Sequence, residues 1–232
     1  MPVNNIYRDG TYLESNPDWH VKDSPWKAKQ IADLLARNRF VPETVCEVGC
    51  GAGEILACLS KIYGDKVTFH GYEISPQAFE ICRRKEQPNV CFHFADLLVT
   101  EKVFDVVMAI DVFEHVENYI GFLRDLKPKG TYKLFHIPLD LSVFAVLRCS
   151  PILKARHSVG HLHYFTKETA LETLRDTGYQ IVDWCYTRDS LELPQLGWPA
   201  TMMKLPRRLF FALHQDLAAR ILGGFSLLVL TK

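Results

Sequence analysis

Histidines that follow apolar runs are the residues of this sequence best suited to move a proton. His115 comes directly after Glu114 and the run FDVVMAID (104–111), and His161 lies in GHLHYF (160–165). A neutral imidazole can take a proton from a hydroxyl or a protonated amine near physiological pH. We expect His115 and His161 to be the catalytic residues, with His115 first. The alternative for His115 is a structural role at the start of a helix.

Three further polar residues lie near these histidines. His163 is two residues beyond His161, so the two side chains point in opposite directions if the backbone is extended. His136 lies inside the apolar run GTYKLFHIP (130–138), where a hydrogen-bonded core histidine is the expected state. Asp140 follows that run and can face a cleft at its end.

The glycine-rich stretch VCEVGCGAGEIL (45–56) is a candidate ligand-binding loop. Its spacing is G-x-G-x-G, at Gly49, Gly51 and Gly53. No Lys-Ser or Lys-Thr pair follows at the spacing that a P-loop needs, so that phosphate-binding motif is excluded. The dinucleotide motif G-x-G-x-x-G, counted from the first glycine, needs a third glycine where this sequence has Glu54. The loop therefore matches neither phosphate-binding motif.

Acidic residues beside this loop indicate the charge of its ligand. Glu47 precedes the first glycine by two residues, and Glu54 follows the last one. A carboxylate at this point would repel a bound pyrophosphate, whereas it attracts the ammonium group of an amino acid. S-adenosylmethionine carries such an ammonium group and has no phosphate. The loop therefore favours S-adenosylmethionine over a dinucleotide.

An acid at the end of the next apolar run supports a ligand that contains ribose. Glu73 lies near the end of VTFHGYEI (67–74). A carboxylate at a strand tip accepts hydrogen bonds from ribose hydroxyls, and each such charged hydrogen bond contributes about 1.5–3 kcal/mol. Enzymes that bind NAD use the same device. Glu73 therefore indicates a ribosyl cofactor without choosing between the two.

Strand and helix patterns alternate along the chain in units of roughly 25 residues. This order predicts a mostly parallel sheet with helices on both faces, in which ligands bind beyond the carboxyl ends of the strands. The predicted strands are 45–49, 67–74, 89–96, 104–111, 130–138, 180–187 and 225–232. The predicted helices are 25–37, 54–63, 76–85, 115–127, 167–179 and 206–222. The segments 139–166 and 188–205 fit no simple crossover.

Landmarks in this order resemble those of the class I S-adenosylmethionine-dependent methyltransferases, particularly the small-molecule enzymes of the ubiquinone-biosynthetic type. The acid followed by G-x-G-x-G after the first strand resembles their motif I, and FDVVMAIDVFEHV (104–116) resembles their motif IV. LKPKGTYKLFHIP (126–138) is similar to their L-K-P-G-G turn, with Lys129 in place of a glycine. GHLHYFTKETALETLRDTGYQIVDW (160–184) is similar to their G-H-x-x-x-F-T segment with the following helix and strand. The resemblance spans about residues 45–184.

The resemblance implies a fold and a cofactor. The expected fold is an α/β three-layer Rossmann-like sandwich, whose mostly parallel seven-stranded sheet has the order 3-2-1-4-5-7-6 with an antiparallel last strand. Asp96 would meet the adenine amino group, or alternatively cap the next segment, and Ile110 and Asp111 would border the methionine portion. Apart from the lid residues Trp19 and His20 described below, the expected contacts to S-adenosyl-L-methionine are Glu47, Gly49, Cys50, Gly51, Gly53, Glu73, Ile74, Asp96, Leu97, Ile110 and Asp111.

Aromatic residues before the first helix are expected to cover the cofactor. In related enzymes such a segment folds over the site, and an aromatic ring beside a sulfonium gives a cation–π contact. We expect Trp19 and His20 to form this lid. Trp26, at the start of the predicted helix, has the alternative of packing that helix on the sheet.

Composition and charge limit the partners and the location. The formal net charge is zero, so no overall field draws the chain to nucleic acid, and DVFE (111–114) replaces the Asn-Pro-Pro-Tyr type of motif of DNA amino-methylating enzymes. No apolar run approaches the about 18 residues of a membrane span, and the N-terminus lacks a signal-peptide pattern. The 7 cysteines include no C-x-x-C pair, so neither a disulfide framework nor a metal site is predicted. We expect a cytoplasmic protein.

The sequence says less about the identity of the methyl acceptor than about the fold or the cofactor. No acid occurs between Asp140 and Glu168, and the basic residues there could bind a phosphate or carboxylate or could form a solvated loop. MMKLPRRLFFALHQDLAARIL (202–222) could lie on a membrane and meet a lipid-linked substrate, or it could cover the sheet. The expected acceptor is a small molecule: a sugar, a polysaccharide precursor or a quinone-like ring, with an anionic group as one option.

Two other functions stay open at this point. The protein could bind S-adenosylmethionine without turnover, as a sensor or scaffold, and a remoter alternative is an NAD-dependent dehydrogenase. The oligomeric state is open. The expected organisation is one methyltransferase domain over 1–232, divided into a cap with the first helix (1–40), a cofactor-binding half (41–138) and substrate-side connections (139–166 and 188–224).

Overall fold

Seven strands form one mixed sheet in the computed structural model, which describes residues 11–16, 19, 21–194 and 201–232. The sheet order is β3-β2-β1-β4-β5-β7-β6, and β7 is antiparallel to both of its neighbours. This order and the antiparallel last strand confirm the predicted fold. The strands are β1 (Thr44–Val48), β2 (Thr68–Glu73), β3 (Val90–Phe94), β4 (Phe104–Ile110), β5 (Gly130–Pro138), β6 (Ile181–Thr187) and β7 (Ser226–Thr231).

Helices connect most of these strands. Within the described ranges, none of them is long and apolar enough to cross a membrane. They are α1 (Thr11–Ser15), α2 (Ser24–Arg37), α3 (Glu54–Tyr63), α4 (Pro76–Cys82), α5 (Tyr119–Leu126), α6 (Val143–Arg148), α7 (Ser150–Ser158), α8 (Lys167–Asp176), α9 (Asp189–Glu192), α10 (Lys204–Leu213) and α11 (Gln215–Leu222).

Neighbouring residues of the central strand β4 point to opposite faces of the sheet and join two separate apolar clusters. Val107 belongs to the cluster that includes Leu126 of α5 and Leu174 of α8. Met108 belongs to the cluster that includes Leu35 of α2 and Leu56 of α3. Because helices cover both faces, the central strands are continuous apolar runs rather than alternating patterns.

The connection 139–166, which fits no simple crossover in the sequence, contains α6 and α7. Ser142 caps α6 by accepting a hydrogen bond from the backbone N–H of Ala145 at 3.1 Å. Cys149 separates the two helices with a φ of 57°. Helices of 6 and 9 residues are too short to show a clear amphipathic period, which explains why the sequence does not reveal them.

Two predicted helices have different bounds in the structure because side-chain caps interrupt the apolar period. The predicted helix 206–222 is broken at His214, whose Nδ1 accepts a hydrogen bond from the N–H of Leu217 at 3.3 Å and so begins α11. The predicted helix 115–127 starts only at α5. There Asn118 accepts a hydrogen bond from the N–H of Gly121 at 3.1 Å.

Candidate active site

A cavity of about 540 Å³ opens at the carboxyl ends of β1, β2, β4 and β5. This is the edge at which open α/β sheets bind ligands. Most of the expected cofactor contacts and both expected catalytic histidines line this cavity, so the fold brings them into one site. The predicted residues that line it are Trp19, Glu47, Gly49, Cys50, Gly51, Gly53, Glu73, Ile74, Ile110, Asp111, His115 and His161.

The glycine loop turns tightly between β1 and α3. Gly51 and Gly53 have φ values of 54° and 73°, a backbone region that side chains rarely adopt. A Cβ at Gly53 would lie 2.6 Å from the Phe92 ring, so the loop packs directly on β3 there. A Cβ at Gly51 would lie 3.7 Å from the Trp19 ring. Gly53 therefore serves packing, whereas Gly51 presents backbone to the cavity.

Glu73 connects the tip of β2 to the glycine loop. One carboxylate oxygen accepts a hydrogen bond from the N–H of Gly51 at 2.8 Å. The other accepts from the N–H groups of Ile74 and Ser75 at 2.8 and 2.7 Å. Burial raises the pKa of Glu73, and these three hydrogen bonds oppose that shift. The carboxylate thereby holds the loop against β2 beside the cavity.

Glu47 and Trp19 each have a buried polar atom without a hydrogen-bond partner among the described residues: Oε2 of the carboxyl group and Nε1 of the indole. Glu47 is 2% exposed. Burial raises its pKa well above the usual range, although the charge of Lys27 opposes the shift. A bound ammonium group would supply the missing partner, so Glu47 fits the amino-acid portion of S-adenosylmethionine.

Trp19 lies where the sequence predicts a lid. It lines the cavity beside the glycine loop, and its ring centre lies 4.8 Å from that of Tyr12. Its partner in the predicted lid, His20, lies outside the described residues. Trp26 donates a hydrogen bond from Nε1 to Glu192 at 2.7 Å, so it links α2 to α9.

Asp111 is the centre of a charged network at the end of β4. Its Oδ2 lies 2.5 Å from Lys27 Nζ, and its Oδ1 lies 2.6 Å from His136 Nδ1. Thr187 contacts the other nitrogen of His136 at 2.8 Å. Burial alone would raise the pKa of Asp111, but His136 and Lys27 together hold it well below its usual range. Asp111 is therefore ionised, and His136 is a hydrogen-bonded buried histidine as expected.

His161 and His115 are in contact with each other, and both line the cavity. Asp140 Oδ2 lies 2.6 Å from His161 Nδ1, so this carboxylate orients the imidazole. The ring centres of His115 and His161 are 4.8 Å apart. Burial, followed by repulsion from His161, lowers the pKa of His115 to about 4. His115 is therefore neutral at physiological pH and a weaker base than free imidazole.

Three residues near the site point elsewhere. His163 Nε2 lies 2.9 Å from the carbonyl oxygen of Val116, away from the cavity that His161 lines. Asp96 accepts a hydrogen bond from the N–H of Leu98 at 2.9 Å and caps the short turn that follows β3. Leu97 is fully buried. Neither Asp96 nor Leu97 lines the cavity in the described part of the chain.

Among the charged residues of the cavity that sequence reasoning did not identify are Lys27 and Asp189. Lys27 reaches Asp111 from α2, and Asp189 comes from the start of α9. Burial raises the pKa of Asp189 to about 6. Neither residue lies in a recognisable motif, because only the packing of distant helices brings them to the strand ends.

Comparison with known proteins places the chain in a family. A family model described as a methyltransferase domain matches residues 24–183. Over 118 residues the chain is 38% identical to a demethylmenaquinone methyltransferase of Chlorobaculum parvum, which covers 47% of each protein. Over 96 residues it is 34% identical to a 2-methyl-6-phytyl-1,4-hydroquinone methyltransferase of Synechocystis sp., covering 38% of this chain and 30% of that protein. The chain spans about half the length of these relatives, or less.

Solved structures share the fold at low sequence identity. Magnesium protoporphyrin IX methyltransferase from Synechocystis, with S-adenosylmethionine bound, has a TM-score of 0.64 at 14% identity, over 100% of this chain and 97% of that chain. A plantazolicin methyltransferase in complex with S-adenosylhomocysteine has a TM-score of 0.63 at 15% identity, over 99% and 93%. The chain belongs to the methyltransferase domain family and has the class I methyltransferase fold.

Proposed function

We propose that this protein transfers a methyl group from S-adenosylmethionine to a small acceptor with a quinol-type ring. The observation that carries the proposal is a single cavity that joins the glycine loop at Gly51 to a wall of Asp140 and His161. The names of the two relatives, a demethylmenaquinone and a hydroquinone methyltransferase, support a quinone-like ring over a sugar or polysaccharide precursor.

Residues around the loop would hold the cofactor, which supplies a methyl group on a sulfonium that is already activated for in-line displacement. Glu47 would partner the ammonium group, and Glu73 the ribose hydroxyls. Trp19, which lines the cavity beside the glycine loop, would cover the sulfonium. Asp96 caps the turn after β3 and Leu97 is fully buried, so neither is assigned to the adenine. The main contribution of the protein is to align the acceptor with the methyl group and to exclude water.

Residues from the two long connections would hold the acceptor. Segment 139–166 places Asp140 and His161 in the cavity, and segment 188–224 places Asp189 there. Removal of a ring hydroxyl proton makes both the oxygen and the neighbouring ring carbon better nucleophiles. Because Asp140 occupies Nδ1 of His161, the Nε2 atom is available for interaction with that hydroxyl. His115 adjoins the same place.

An exposed apolar stripe on α10 favours an acceptor that is carried by lipid. Leu205, Leu209 and Leu213 follow one another at four-residue spacing and are 65%, 59% and 84% exposed, whereas Phe211 is buried. Arg208 is exposed on the same helix. Apolar side chains flanked by basic ones are typical of helices that lie on anionic membranes. In this proposal α10 brings the cavity to an anionic lipid surface.

Radiolabelled methyl transfer tests the proposal. Purified protein would be incubated with methyl-labelled S-adenosylmethionine and a panel of quinols, or with a lipid extract. We expect label in a small, lipid-soluble product. Label confined to nucleic acid or bulk protein would contradict the proposal. Tight binding of S-adenosylhomocysteine without transfer to any fraction would favour a sensor or scaffold, and calorimetric binding of NADH in its place would favour a dehydrogenase.

A further inference from the structure

We propose that Glu114, His115 and His161 bind one divalent transition-metal ion, with Zn²⁺ as the representative. Each of the three residues offers one ligand atom, and these atoms all lie within 4.8 Å of one another. The sequence predicts no metal site, because its cysteines include no C-x-x-C pair. The third ligand is supplied from a distant connection, so the cluster exists only in the folded chain.

The backbone fixes the cluster. The N–H groups of Leu162 and His163 both donate hydrogen bonds to the carbonyl oxygen of Glu114, at 2.8 and 3.1 Å. These bonds place His161 directly beside the Glu114–His115 pair. The three side chains therefore project from two segments that are joined at the site itself.

Asp140 contacts the nitrogen of His161 that is not offered to the ion. Its Oδ2 lies 2.6 Å from His161 Nδ1. Because Nδ1 is engaged there, Nε2 is the ring nitrogen left to bind an ion. Histidines that bind metals commonly hold a carboxylate on the other nitrogen, which fixes the tautomer and strengthens the imidazole as a ligand. A histidine that only packs in a core needs no carboxylate at this position. Asp140 is thus the positioning residue of the proposed site.

Glu114 is the observation that points most directly to an ion. Its side chain is 0% exposed. Among the described residues, neither of its carboxylate oxygens has a hydrogen-bond partner. His115 Nε2 is 3.8 Å from Oε1, which is beyond hydrogen-bond range. A buried carboxylate without a partner is costly, and a bound cation would supply the missing interaction.

The surrounding charges and ligand types select the ion. Asp111 and Asp140 both act on Glu114 as like charges, and Lys27 is engaged by Asp111. Two imidazoles and one carboxylate form a ligand set that Zn²⁺ uses with a fourth position open, and Co²⁺ and Mn²⁺ accept similar ligands. Ligand atoms lie about 2.0–2.2 Å from Zn²⁺, so side-chain rotations that bring the cluster together by about 1 Å would complete it.

A bound ion would change how the acceptor is activated, a consequence that rests on the proposed function. The two histidines would then act as ligands instead of free bases. An acceptor hydroxyl at the open position would lose its proton to water more readily, because the ion stabilises the resulting oxyanion. The binding site itself does not depend on the identity of the acceptor.

Metal titration of untagged, chelator-treated protein tests the site without any acceptor. Calorimetry with Zn²⁺ and visible absorption with Co²⁺ should both report one ion per chain. The variants Glu114→Gln and His161→Ala should each weaken binding by at least about 100-fold, and Asp140→Asn by about 10–100-fold with a changed Co²⁺ spectrum. His157→Ala, which removes an exposed histidine of α7, is the matched control and should bind like the wild type.

The outcomes separate this inference from the proposed function. Affinity for S-adenosylhomocysteine and the circular dichroism spectrum should be unchanged in Glu114→Gln and His161→Ala, which shows that the variants fold. Absence of stoichiometric binding by the wild type, or equal binding by these variants and His157→Ala, would overturn the metal site. Methyl transfer by metal-free wild type at the full rate would remove its catalytic role and leave the methyltransferase function intact.

Discussion

Lys27 Nζ lies 2.5 Å from Asp111 Oδ2, although the two residues are 84 positions apart in the sequence. The ion pair ties the first turn of α2 to the end of β4. It also keeps a carboxylate ionised in the wall of the cofactor cavity. One contact thereby contributes both to the stability of the fold and to the charge of the site.

Replacement of this lysine should destabilise the protein. In Lys27→Met, the half-buried Asp111 keeps its contact with His136 but loses the lysine, and we expect the free energy of unfolding to fall by about 1.5–3 kcal/mol in denaturant titrations. Lys29→Met is the matched control, because its ion pair with Asp33 joins side chains that are 68% and 59% exposed. That change should cost less than about 1 kcal/mol. Equal losses in the two variants would contradict the role assigned to Lys27.

Two glycines of the loop should respond differently to alanine. Gly53→Ala drives a Cβ to within 2.6 Å of Phe92, and we expect a loss of about 1–3 kcal/mol in unfolding free energy. Gly51→Ala meets only Trp19 at 3.7 Å, so its main effect should be at least tenfold weaker calorimetric binding of S-adenosylhomocysteine. Normal cofactor affinity in Gly51→Ala would contradict a direct contact between the Gly51 backbone and the cofactor.

The Glu47 carboxyl should make the stability of the free protein depend on pH. Its pKa in the folded state is raised by burial above the usual 4.5, so the folded protein binds the proton more tightly than the unfolded chain does. Stability therefore falls as pH rises from 4.5 toward the folded-state pKa and stays reduced above it. Glu47→Gln should remove this part of the pH dependence in denaturant titrations between about pH 4 and 8.

The same variant should bind the cofactor less well. A glutamine at position 47 cannot pair with an ammonium group by charge, so affinity for S-adenosylhomocysteine at neutral pH should fall by about tenfold or more. A variant that gains stability at neutral pH and loses affinity would match both expectations. Wild-type affinity would show that Glu47 does not contact the amino-acid portion.

The apolar stripe of α10 should be needed for lipid binding but not for cofactor binding. The double variant Leu209→Asp with Leu213→Asp should co-sediment with anionic vesicles several-fold less than the wild type, because each carboxylate is repelled from the lipid surface. Val99→Asp changes an apolar side chain that is 80% exposed outside this helix, and it should bind vesicles normally. Equal loss in both proteins would contradict a docking role for α10.

The succession of strands and helices along the chain and the glycine loop could be predicted from the sequence because their signals are local. The apolar runs of β1 and β4 show strands that are covered on both faces. The spacing of Gly49, Gly51 and Gly53 reflects a turn that needs positive φ. Such features depend on residues that are neighbours in the chain, so a sequence pattern reports them directly.

Helix breaks depend on one side chain and are less visible. The apolar period continues through 206–222, yet the imidazole of His214 ends α10 and caps α11. The connection 139–166 likewise hides two short helices. Local hydrogen bonds of this kind compete with periodicity and are settled only when the surrounding structure fixes the cap.

By itself, the sequence determined the class of fold, the strand ends that carry Glu47 and Glu73, and the cofactor that they suit. Only the tertiary structure decided what these side chains meet. The pairing of Lys27 with Asp111, and the proximity of Glu114 to His161, arise from packing between segments that are far apart in the chain. Contacts of that kind follow from how whole elements pack against one sheet, a property that no short stretch of sequence encodes.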